Sequence, residues 1–357
     1  MTRPGELSVE LPVPEGSDTA ERKREHLRLA MHPDAELRRA HFDAWRFEHV
    51  ALPELSLEEI DPSIEFLGHT LQAPLVVSCM TGGTAEAGMI NRRLAEAAEA
   101  CGIALGVGSQ RAALEDPSLE ASFHVREYAP HIPILANLGA VQLNYGYGVE
   151  ECRRAVGMID ADALVLHLNV LQEAIQPEGQ TDFRGLLPKI ARVVAELDVP
   201  VIVKEIGSGI SGDVARRLAE SGVRIIDVAG AGGTSWARIE GRRAGTSLGE
   251  VFAEWGIPTP DAIRQVAAVG GLTVIGSGGV RSGLDVAKAL ALGAELAGMA
   301  RPFLLSAARS VDATIAAIRN TVRELEVAML CVGARRPGDL RHARIGRASP
   351  HAAIPDA

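Results

Sequence analysis

Short runs of aliphatic residues recur along the chain, and each run ends in glycine or in polar side chains. Within a run, hydrophobic residues are nearly continuous rather than alternating with polar ones, which is typical of parallel strands buried on both faces. Eight runs show this pattern: APLVVSCMTGG, GIALGVGSQR, IPILANLGA, ADALVLHLN, VPVIVKEIG, VRIIDVAGAGG, LTVIGSGGV and ELAGMARPF. The pattern therefore predicts eight buried parallel strands.

The segments between these runs have helical periodicity, as in NRRLAEAAEACG, FRGLLPKIARVVAEL and TPDAIRQVAAVGG. Strand and helix alternate eight times, which indicates an α/β protein with a (β/α)8 TIM barrel spanning about residues 74–305. A doubly wound open sheet is the alternative. It is disfavoured by the strand count, and because the glycine clusters lie late in the chain rather than after the first strand.

The segments outside the barrel are more polar. The charged stretch ERKREHLRLAMH predicts an N-terminal helical extension, and a helix is expected around Asp312 to Leu330. An Arg-, Pro- and Gly-rich segment follows. We therefore predict one domain over residues 21–332, including the N-terminal segment as a cap, with flexible tails at 1–20 and 333–357.

Composition narrows the range of partners. The chain is 47% hydrophobic and 23% charged, with a net charge of −10. An acidic chain is not expected to bind nucleic acid or an anionic membrane. The four cysteines are far apart, with no Cys-x-x-Cys, so neither a disulfide framework nor structural zinc is expected. Because the N-terminus has no apolar run, we expect a cytoplasmic protein.

Polar residues follow the predicted strands, at the end of a barrel where catalytic groups lie. A buried polar group without a partner costs roughly 2–7 kcal/mol, so each of them needs a protein or ligand partner. We expect the following side chains to converge on one mouth: Thr81, Ser109, Gln110, Arg111, Asn137, His167, Asn169, Gln172, Glu173, Lys204 and Glu205.

Three glycine-rich loops come late in the chain, at 230–235, 277–283 and 298–301. The loops after strands seven and eight are where barrels bind phosphate, so the set predicts a flavin mononucleotide site. The alternative is that glycine only closes tight turns. Lys204 is expected to face the flavin and stabilise negative charge on the reduced ring, the alternative being an ion pair with Glu205 or another acid at the mouth.

Seven motifs occur in order over about residues 20–305. They are Arg22-Lys23-x-x-His26, Met80-Thr81-Gly82-Gly83, Gly108-Ser109-Gln110-Arg111, Ala136-Asn137-Leu138-Gly139, His167-Leu168-Asn169-Val170-Leu171-Gln172-Glu173, Lys204-Glu205 and Ser277-Gly278-Gly279. Together they resemble the type II isopentenyl-diphosphate delta-isomerases, and the His-x-Asn-x-x-Gln-Glu string is the most specific of them.

The resemblance implies an enzyme of isoprenoid biosynthesis that interconverts isopentenyl and dimethylallyl diphosphates. It uses reduced FMN without net redox change, Mg²⁺ to bind the diphosphate, and NADPH as flavin reductant. It implies catalytic roles for Gln172, Lys204 and His167, and Glu173 as the metal ligand. Substrate contacts fall on Arg22, Lys23, His26, Ser109, Gln110, Arg111, Asn169 and Gln172. Cofactor contacts fall on Cys79, Met80, Thr81, Gly82, Ser109, Asn137, Lys204, Thr234, Gly279, Val280, Arg281, Ala300 and Arg301. Homo-tetramers or homo-octamers are usual in the family.

Two positions depart from the family pattern. Cys79 replaces the commoner Ala, and Arg301 replaces a Gly. A Cys buried beside a flavin is expected to act as a small hydrophobe. Arg301 is expected either to contact phosphate or to point to solvent.

The isomerisation adds a proton to the terminal alkene carbon and removes one from C2. We expect the reduced flavin to handle one proton at N5 and Gln172 to position or relay the other. Arg22 and Lys23 are expected to cover the diphosphate as a lid, although a solvated, mixed-charge helix face is the general alternative. His167 and Asn169 either serve the reaction or only satisfy neighbouring backbone groups.

Two rival functions remain open. The first is an FMN-dependent oxidoreductase of the 2-hydroxy-acid type, which needs a base such as a His after strand six. The stretch AGAGGTSWARIEGRRAG that follows this strand has neither His nor Cys. The second is a non-catalytic flavin- or phosphate-binding barrel, which would need neither Gln172-Glu173 nor the Arg-Lys pair. Residues 235–259 are interpreted as a lid or a subunit contact.

Overall fold

The computed structural model describes residues 18–37 and 41–348 of the 357-residue chain. Its strands are β1 (Trp45–Phe47), β2 (Ile64–Phe66), β3 (His69–Leu71), β4 (Leu75–Val77), β5 (Ala104–Gly106), β6 (Ile134–Gly139), β7 (Ala163–His167), β8 (Val201–Lys204), β9 (Ile225–Asp227), β10 (Thr273–Ser277), β11 (Leu296–Met299) and β12 (Ile345–Arg347).

Helices lie between and around these strands. They are α1 (Asp18–Met31), α2 (Ala85–Cys101), α3 (Arg111–Glu115), α4 (Val149–Met158), α5 (Val170–Ile175), α6 (Leu186–Glu196), α7 (Gly212–Glu220), α8 (Trp236–Arg243), α9 (Leu248–Val251), α10 (Thr259–Ala267), α11 (Gly283–Ala291), α12 (Arg301–Arg309) and α13 (Val311–Cys331).

Strands β4 to β11 close into a barrel, and every neighbouring pair in it is parallel. All eight predicted strands are present, so the predicted (β/α)8 barrel is confirmed. The connection from β5 to β6 consists of the short helix α3 followed by 3₁₀ turns.

Two apolar layers hold the barrel together. The interior layer is aliphatic, with Val76, Leu135 and Val165 among its members, and the hairpin β2–β3 inserts Phe66 and Leu71 into it. A larger layer lies between the strands and the outer helices. Every residue of β4 and β8 is buried, and because the two layers cover both faces these strands are hydrophobic rather than alternating, apart from Lys204 at the end of β8.

The predicted N-terminal helix is present as α1, and it lies at the mouth of the barrel. Its side chains Arg22, Lys23 and His26 line the cavity at the carboxyl ends of the barrel strands. Helix α1 contacts α8 and α12, which rise from the loops after β9 and β11. The helix therefore covers the mouth of the barrel.

The prediction of a flexible tail from residue 333 is wrong for residues 333–348. These residues form a 3₁₀ turn over Pro337–His342 and the strand β12, which pairs antiparallel with β1. Trp45 of β1 is buried between the guanidinium groups of Arg264 and Arg347, each 5.5 Å from the ring centroid. Strand pairing and this cation–π contact fix the segment. Residues 1–17 and 349–357 of the predicted tails lie outside the described residues.

Helices long and apolar enough to cross a bilayer do not occur in the described ranges 18–37 and 41–348.

Candidate functional site

A deep cleft opens at the carboxyl ends of the barrel strands, beneath α1. Most of the predicted site residues line it: Arg22, Lys23, His26, Cys79, Met80, Thr81, Ser109, Arg111, Asn137, His167, Asn169, Gln172, Glu173, Lys204, Thr234, Gly279, Val280, Ala300 and Arg301. These residues are spread over some 280 positions of the sequence, and the fold makes them neighbours because the barrel strands all end at this mouth.

Four predicted residues, Gly82, Gln110, Glu205 and Arg281, do not line the cleft. Gln110 is fully buried, donating to Ala155 O over 2.8 Å and accepting from Asn137 N over 2.9 Å, so its amide braces the strand ends instead of meeting a ligand. Gly82 packs against the Phe123 ring, which leaves no room for a side chain. Arg281 turns toward Glu36, with its Nε 3.3 Å from the carboxylate.

The floor of the cleft holds a buried ion pair. Lys204 Nζ lies 2.7 Å from Asp227 Oδ2 and 3.3 Å from Ser277 Oγ, and Ser277 Oγ donates to Asp227 Oδ1 over 2.5 Å. Lys204 thus has an acidic partner at the mouth, as the alternative interpretation held, while it also lines the cleft. Asp227 was missed; its position as the last residue of the run VRIID was the available signal.

Glu205 does not pair with Lys204. Its carboxylate accepts hydrogen bonds from the backbone N–H groups of Ile206, Gly207 and Ser208. Burial raises the pKa of Glu205 despite these bonds. Adjacent residues of a strand face opposite sides, so Glu205 organises the following loop and leaves Lys204 to the cleft.

His167 is a neutral hydrogen-bonding group. Its Nδ1 lies 2.9 Å from Asn137 Oδ1, and because an amide oxygen only accepts, Nδ1 donates in this arrangement. Burial lowers the pKa of His167 to about 3, and the positive charges of Lys23 and Lys204 lower it further in the same direction. At neutral pH the ring therefore carries no charge and presents Nε2 as an acceptor.

Gln172 belongs to a cluster of polar side chains beneath helix α1. Its Nε2 donates to Glu240 Oε1 over 2.7 Å, and the same carboxylate lies 2.8 Å from His26 Nε2 and 2.6 Å from Arg243 Nη1. Burial alone would raise the pKa of Glu240, but its contacts with His26, Gln172 and Arg243 outweigh burial and hold the pKa below its usual value. Glu240 is therefore ionised, and it joins α1, α5 and α8.

Glu240 was not predicted by the sequence analysis. It lies within residues 235–259, for which the sequence predicts a lid or a subunit contact, and α8 places it next to the cleft with no solvent exposure. The stretch ARIEGRR looks like a charged helix face, and only the packing of α8 against α1 and α5 shows that this carboxylate is enclosed.

Glu173 is also enclosed. Its Oε1 accepts from Asn169 Nδ2 over 2.7 Å, and its Oε2 accepts from Gln180 N over 2.6 Å. Within residues 18–37 and 41–348, no group of three or more His, Cys, Asp or Glu side chains is placed to hold a metal ion. Such a site fits a hard cation only if a ligand supplies further oxygens, as Mg²⁺ beside a phosphate requires.

Three cations converge at the open end of the cleft. Burial, together with the positive charges of Arg22 and Arg111, lowers the pKa of Lys23 to about 8. Arg22 Nη1 lies 3.7 Å from Glu178 Oε1, and Arg111 pairs with Glu115 over 2.7 Å. Lys23 Nζ donates to Ser109 O over 3.4 Å and has no carboxylate partner in the described part of the chain. This cluster is suited to a multiply charged anion.

The opposite end of the cleft is built from backbone. The loops after β9 and β10 pack so closely that a Cβ on Gly233 would lie 2.6 Å from Gly279 N, while Gly279 has a φ of +76°. Glycine is therefore required at both positions. Two buried polar atoms that face the cleft, Ser78 Oγ and Asn169 Oδ1, have no hydrogen-bond partner within the described structure. A polar ligand with a phosphate end fits this lining.

The two departures from the family pattern have structural explanations. Burial raises the pKa of Cys79 to about 11, so the group stays a thiol and packs as a small apolar side chain. The side chain of Arg301 does not extend into solvent. Its guanidinium group donates to Ala30 O over 3.2 Å and to Met31 O over 3.0 Å, and its Nη1 lies 3.1 Å from Glu36 Oε2.

Known proteins are similar to this chain in sequence and in architecture. The family described as FMN-dependent dehydrogenase matches residues 168–347. Isopentenyl-diphosphate delta-isomerase from Nostoc is 48% identical over 335 residues, covering 92% of this chain and 96% of the relative. The enzyme of the same name from Cronobacter sakazakii is 50% identical over 338 residues, covering 92% and 97%.

Solved structures with the same fold are more distant. A mandelate oxidase variant with an FMN adduct superposes with a TM-score of 0.63 at 20% identity, covering 91% of this chain and 92% of the other. A lactate oxidase from Pediococcus acidilactici gives a TM-score of 0.65 at 18% identity, covering 87% and 85%. These show the barrel fold alone, whereas the relatives near half identity over more than nine tenths of the chain show the family. The chain belongs to the type II isopentenyl-diphosphate delta-isomerase family.

Proposed function

We propose that this protein interconverts isopentenyl and dimethylallyl diphosphates, using reduced FMN and Mg²⁺. The observation that carries the proposal is the arrangement of charge at one cleft: the cations Arg22, Lys23 and Arg111 line it together with Gln172, whose amide donates to the enclosed carboxylate of Glu240. The cluster suits a diphosphate, and the enclosed cavity suits an isoprenyl chain. The names of the relatives support the same substrate.

The floor and the glycine loops would hold FMN. Gly279, Val280 and Thr234 would meet the phosphate, and Met80, Thr81, Ser109, Asn137 and Lys204 would meet the ring system. When bound in its reduced form, the flavin would supply an electron-rich face and a proton donor beside the alkene. Lys204 would stabilise negative charge there, with Asp227 and Ser277 fixing its ammonium group.

Glu173 would bind Mg²⁺ together with the substrate diphosphate. A single carboxylate is enough for this role, because Mg²⁺ usually retains several waters and is held by one or two carboxylates plus phosphates. Binding requires Glu173 to exchange at least one of its hydrogen bonds, to Asn169 or to Gln180, for the ion or its water.

The residues of the chain then have distinct tasks in the reaction. Arg22, Lys23 and Arg111 bind the diphosphate and hold the alkene in the enclosed part of the cleft. Gln172, oriented by Glu240, would position the hydrogen at C2 or relay it. His167 is neutral and would accept or donate a hydrogen bond without changing charge. Because α1 covers the cleft, it would exclude water from the substrate carbon on which positive charge develops.

An FMN-dependent oxidoreductase acting on 2-hydroxy acids is the rival on the same fold. Such an enzyme needs a base aimed at the carbon that loses hydride. His26 and His167 are the histidines that line the cleft in the described structure, and burial lowers the pKa of both. Lysine and arginine at the mouth also suit a diphosphate better than a single carboxylate. These features favour the isomerase.

The test is an anaerobic incubation of the protein with FMN, Mg²⁺, NADPH and isopentenyl diphosphate, followed by NMR. Dimethylallyl diphosphate should appear only when the flavin is reduced, with no consumption of NADPH beyond the initial reduction. Protein that holds reduced FMN and forms no product would refute the isomerase. Oxidation of lactate or mandelate by the same preparation would favour the rival.

The setting of the enzyme is part of the proposal. We infer a cytoplasmic enzyme with a small-molecule substrate, no nucleic-acid or membrane partner, and NADPH as flavin reductant. We also infer a homo-tetramer or homo-octamer, for which the exposed apolar residues Val251 and Trp255, 73% and 62% exposed, are candidate contacts. Sedimentation of the purified protein tests the assembly.

A further inference from the structure

The segment that follows α1 is tied to the glycine loop after β9. Leu37 N donates to Gly233 O over 3.0 Å, and Ser235 N donates to Ala35 O over 2.8 Å. Glu36 forms an isolated antiparallel bridge with Thr234. The carboxyl end of the lid helix therefore has a fixed position against one of the loops assigned to phosphate.

Arg301 makes a second connection, from the loop after β11. Its Nε donates to Ala30 O over 3.2 Å and its Nη2 to Met31 O over 3.0 Å. The last carbonyl groups of a helix lack partners within the helix, and a cation there also interacts favourably with the helix dipole. Arg301 thus caps α1 from the wall of the cleft, with only 16% of its side chain exposed.

Glu36 links the two connections. Its Oε2 lies 3.1 Å from Arg301 Nη1, and its Oε1 lies 3.3 Å from Arg281 Nε in the loop after β10. Two guanidinium groups share one carboxylate, so this corner retains a positive charge. It adjoins the cleft, because Glu36, Arg301 and Gly279 all line it.

The donors of Arg301 are not exhausted by these contacts. A guanidinium has five N–H groups in a fixed fork, and the three described bonds use one on each nitrogen. One N–H on each of Nη1 and Nη2 remains for an anion. An anion bound at the glycine loops can therefore hold Arg301 in place without displacing its bonds to α1.

We propose that Arg301 is a positioning residue that couples the lid helix α1 to occupancy of the phosphate end of the flavin site. This inference rests on the proposed function. An occupied phosphate end fixes Arg301, Arg301 fixes the carboxyl end of α1, and α1 carries Arg22 and Lys23 over the substrate. Because coupling between two sites is reciprocal, cofactor and diphosphate then strengthen each other's binding.

Hydrogen exchange of α1 tests the first half without any substrate. Addition of FMN alone should slow the exchange of amides in residues 22–31 by at least about fivefold in the wild type, within the usual range of coupling. In Arg301→Lys the slowing should fall below about twofold, because an ammonium cannot bridge two carbonyls, Glu36 and an anion in that geometry. Arg309→Lys, an exposed change on the same helix α12, should behave as the wild type. Equal slowing in Arg301→Lys would overturn the proposal.

A titration with oxidised FMN tests the second half. Flavin fluorescence gives the FMN Kd with and without saturating isopentenyl diphosphate and Mg²⁺. Substrate should tighten FMN binding by at least about fivefold in the wild type and by less than about twofold in Arg301→Lys and Glu36→Gln. An Arg301→Lys variant with weaker FMN binding but the same ratio would make Arg301 an ordinary phosphate contact and refute the coupling. A wild type that binds FMN but no isopentenyl diphosphate would refute the proposed function instead, and the exchange experiment would still decide the role of Arg301.

Discussion

Gln172 Nε2 donates to Glu240 Oε1 over 2.7 Å, and this bond joins α5, which follows the fourth barrel strand, to α8. Glu240 has no solvent exposure and also contacts His26 and Arg243. The amide of Gln172 is therefore held in one orientation by a charged group that does not itself line the cleft.

Replacing this carboxylate should reduce turnover more than cofactor binding. We expect Glu240→Gln to lower kcat by on the order of 10²-fold, because Gln172 loses a charged acceptor that fixes its amide. The FMN Kd should stay within about twofold of wild type, because Glu240 lies away from the glycine loops. Steady-state kinetics and flavin fluorescence measure the two quantities. The matched control is Glu250→Gln in the same segment, which removes an exposed carboxylate 3.1 Å from Arg238. Equal kcat values in the two variants would contradict the role of Glu240.

The ion pair on the floor of the cleft should be important for stability. Asp227→Asn leaves the Lys204 ammonium buried without its counter-charge, which should lower the free energy of unfolding by about 3–5 kcal/mol. Urea denaturation of the cofactor-free protein measures this change. Glu196→Gln, which breaks the exposed pair of Arg192 and Glu196, should change it by less than about 1 kcal/mol. The double variant Lys204→Met/Asp227→Leu should recover most of the stability and lose flavin binding. A stable Asp227→Asn protein would argue that Lys204 is hydrated or neutral.

Lys23 should set the alkaline limit of substrate capture. Its pKa is lowered to about 8, so Lys23 is charged below that pH and loses its proton as the pH rises through it. Since the diphosphate prefers the charged form, kcat/KM should fall above about pH 8, approaching tenfold per pH unit. Lys23→Arg should move this fall to higher pH, because a guanidinium remains charged. Lys189→Arg, on the outside of the barrel, serves as the control. If kcat/KM of Lys23→Arg fell at the same pH as that of the wild type, the fall would have to be assigned to another group.

Glu173 should control the requirement for metal. Glu173→Gln should raise the Mg²⁺ concentration that gives half-maximal activity by more than about tenfold, because a neutral amide is a weaker ligand for a hard cation. FMN binding should be retained. Glu150→Gln, at a carboxylate whose side chain is 72% exposed, should leave the Mg²⁺ dependence unchanged. An unaltered Mg²⁺ requirement in Glu173→Gln would show that the ion is held by the diphosphate and other groups.

The sequence by itself determined the barrel and most of the cleft lining. Eight apolar runs identify strands buried on both faces, and a parallel barrel places every strand's carboxyl end at one mouth. Residues such as Asn137, Gln172 and Lys204 could therefore be assigned to one cleft from their positions after the runs. These assignments depend on the local hydrophobic pattern and on the rule that all strands of a parallel barrel end at one mouth. Both can be applied to the sequence alone.

Only the tertiary structure decided which charged groups pair. Asp227, Glu240 and Glu36 look like ordinary acidic residues in the sequence. Lys204 lies 23 positions from its partner Asp227, and His26 lies more than 200 positions from its partner Glu240. Partners at such separations leave no periodic signal in the sequence. The pairing of β12 with β1 was hidden for the same reason. Helical periodicity and strand content are set by neighbouring residues, whereas the partner of a buried charge is set by the packing of distant elements around it.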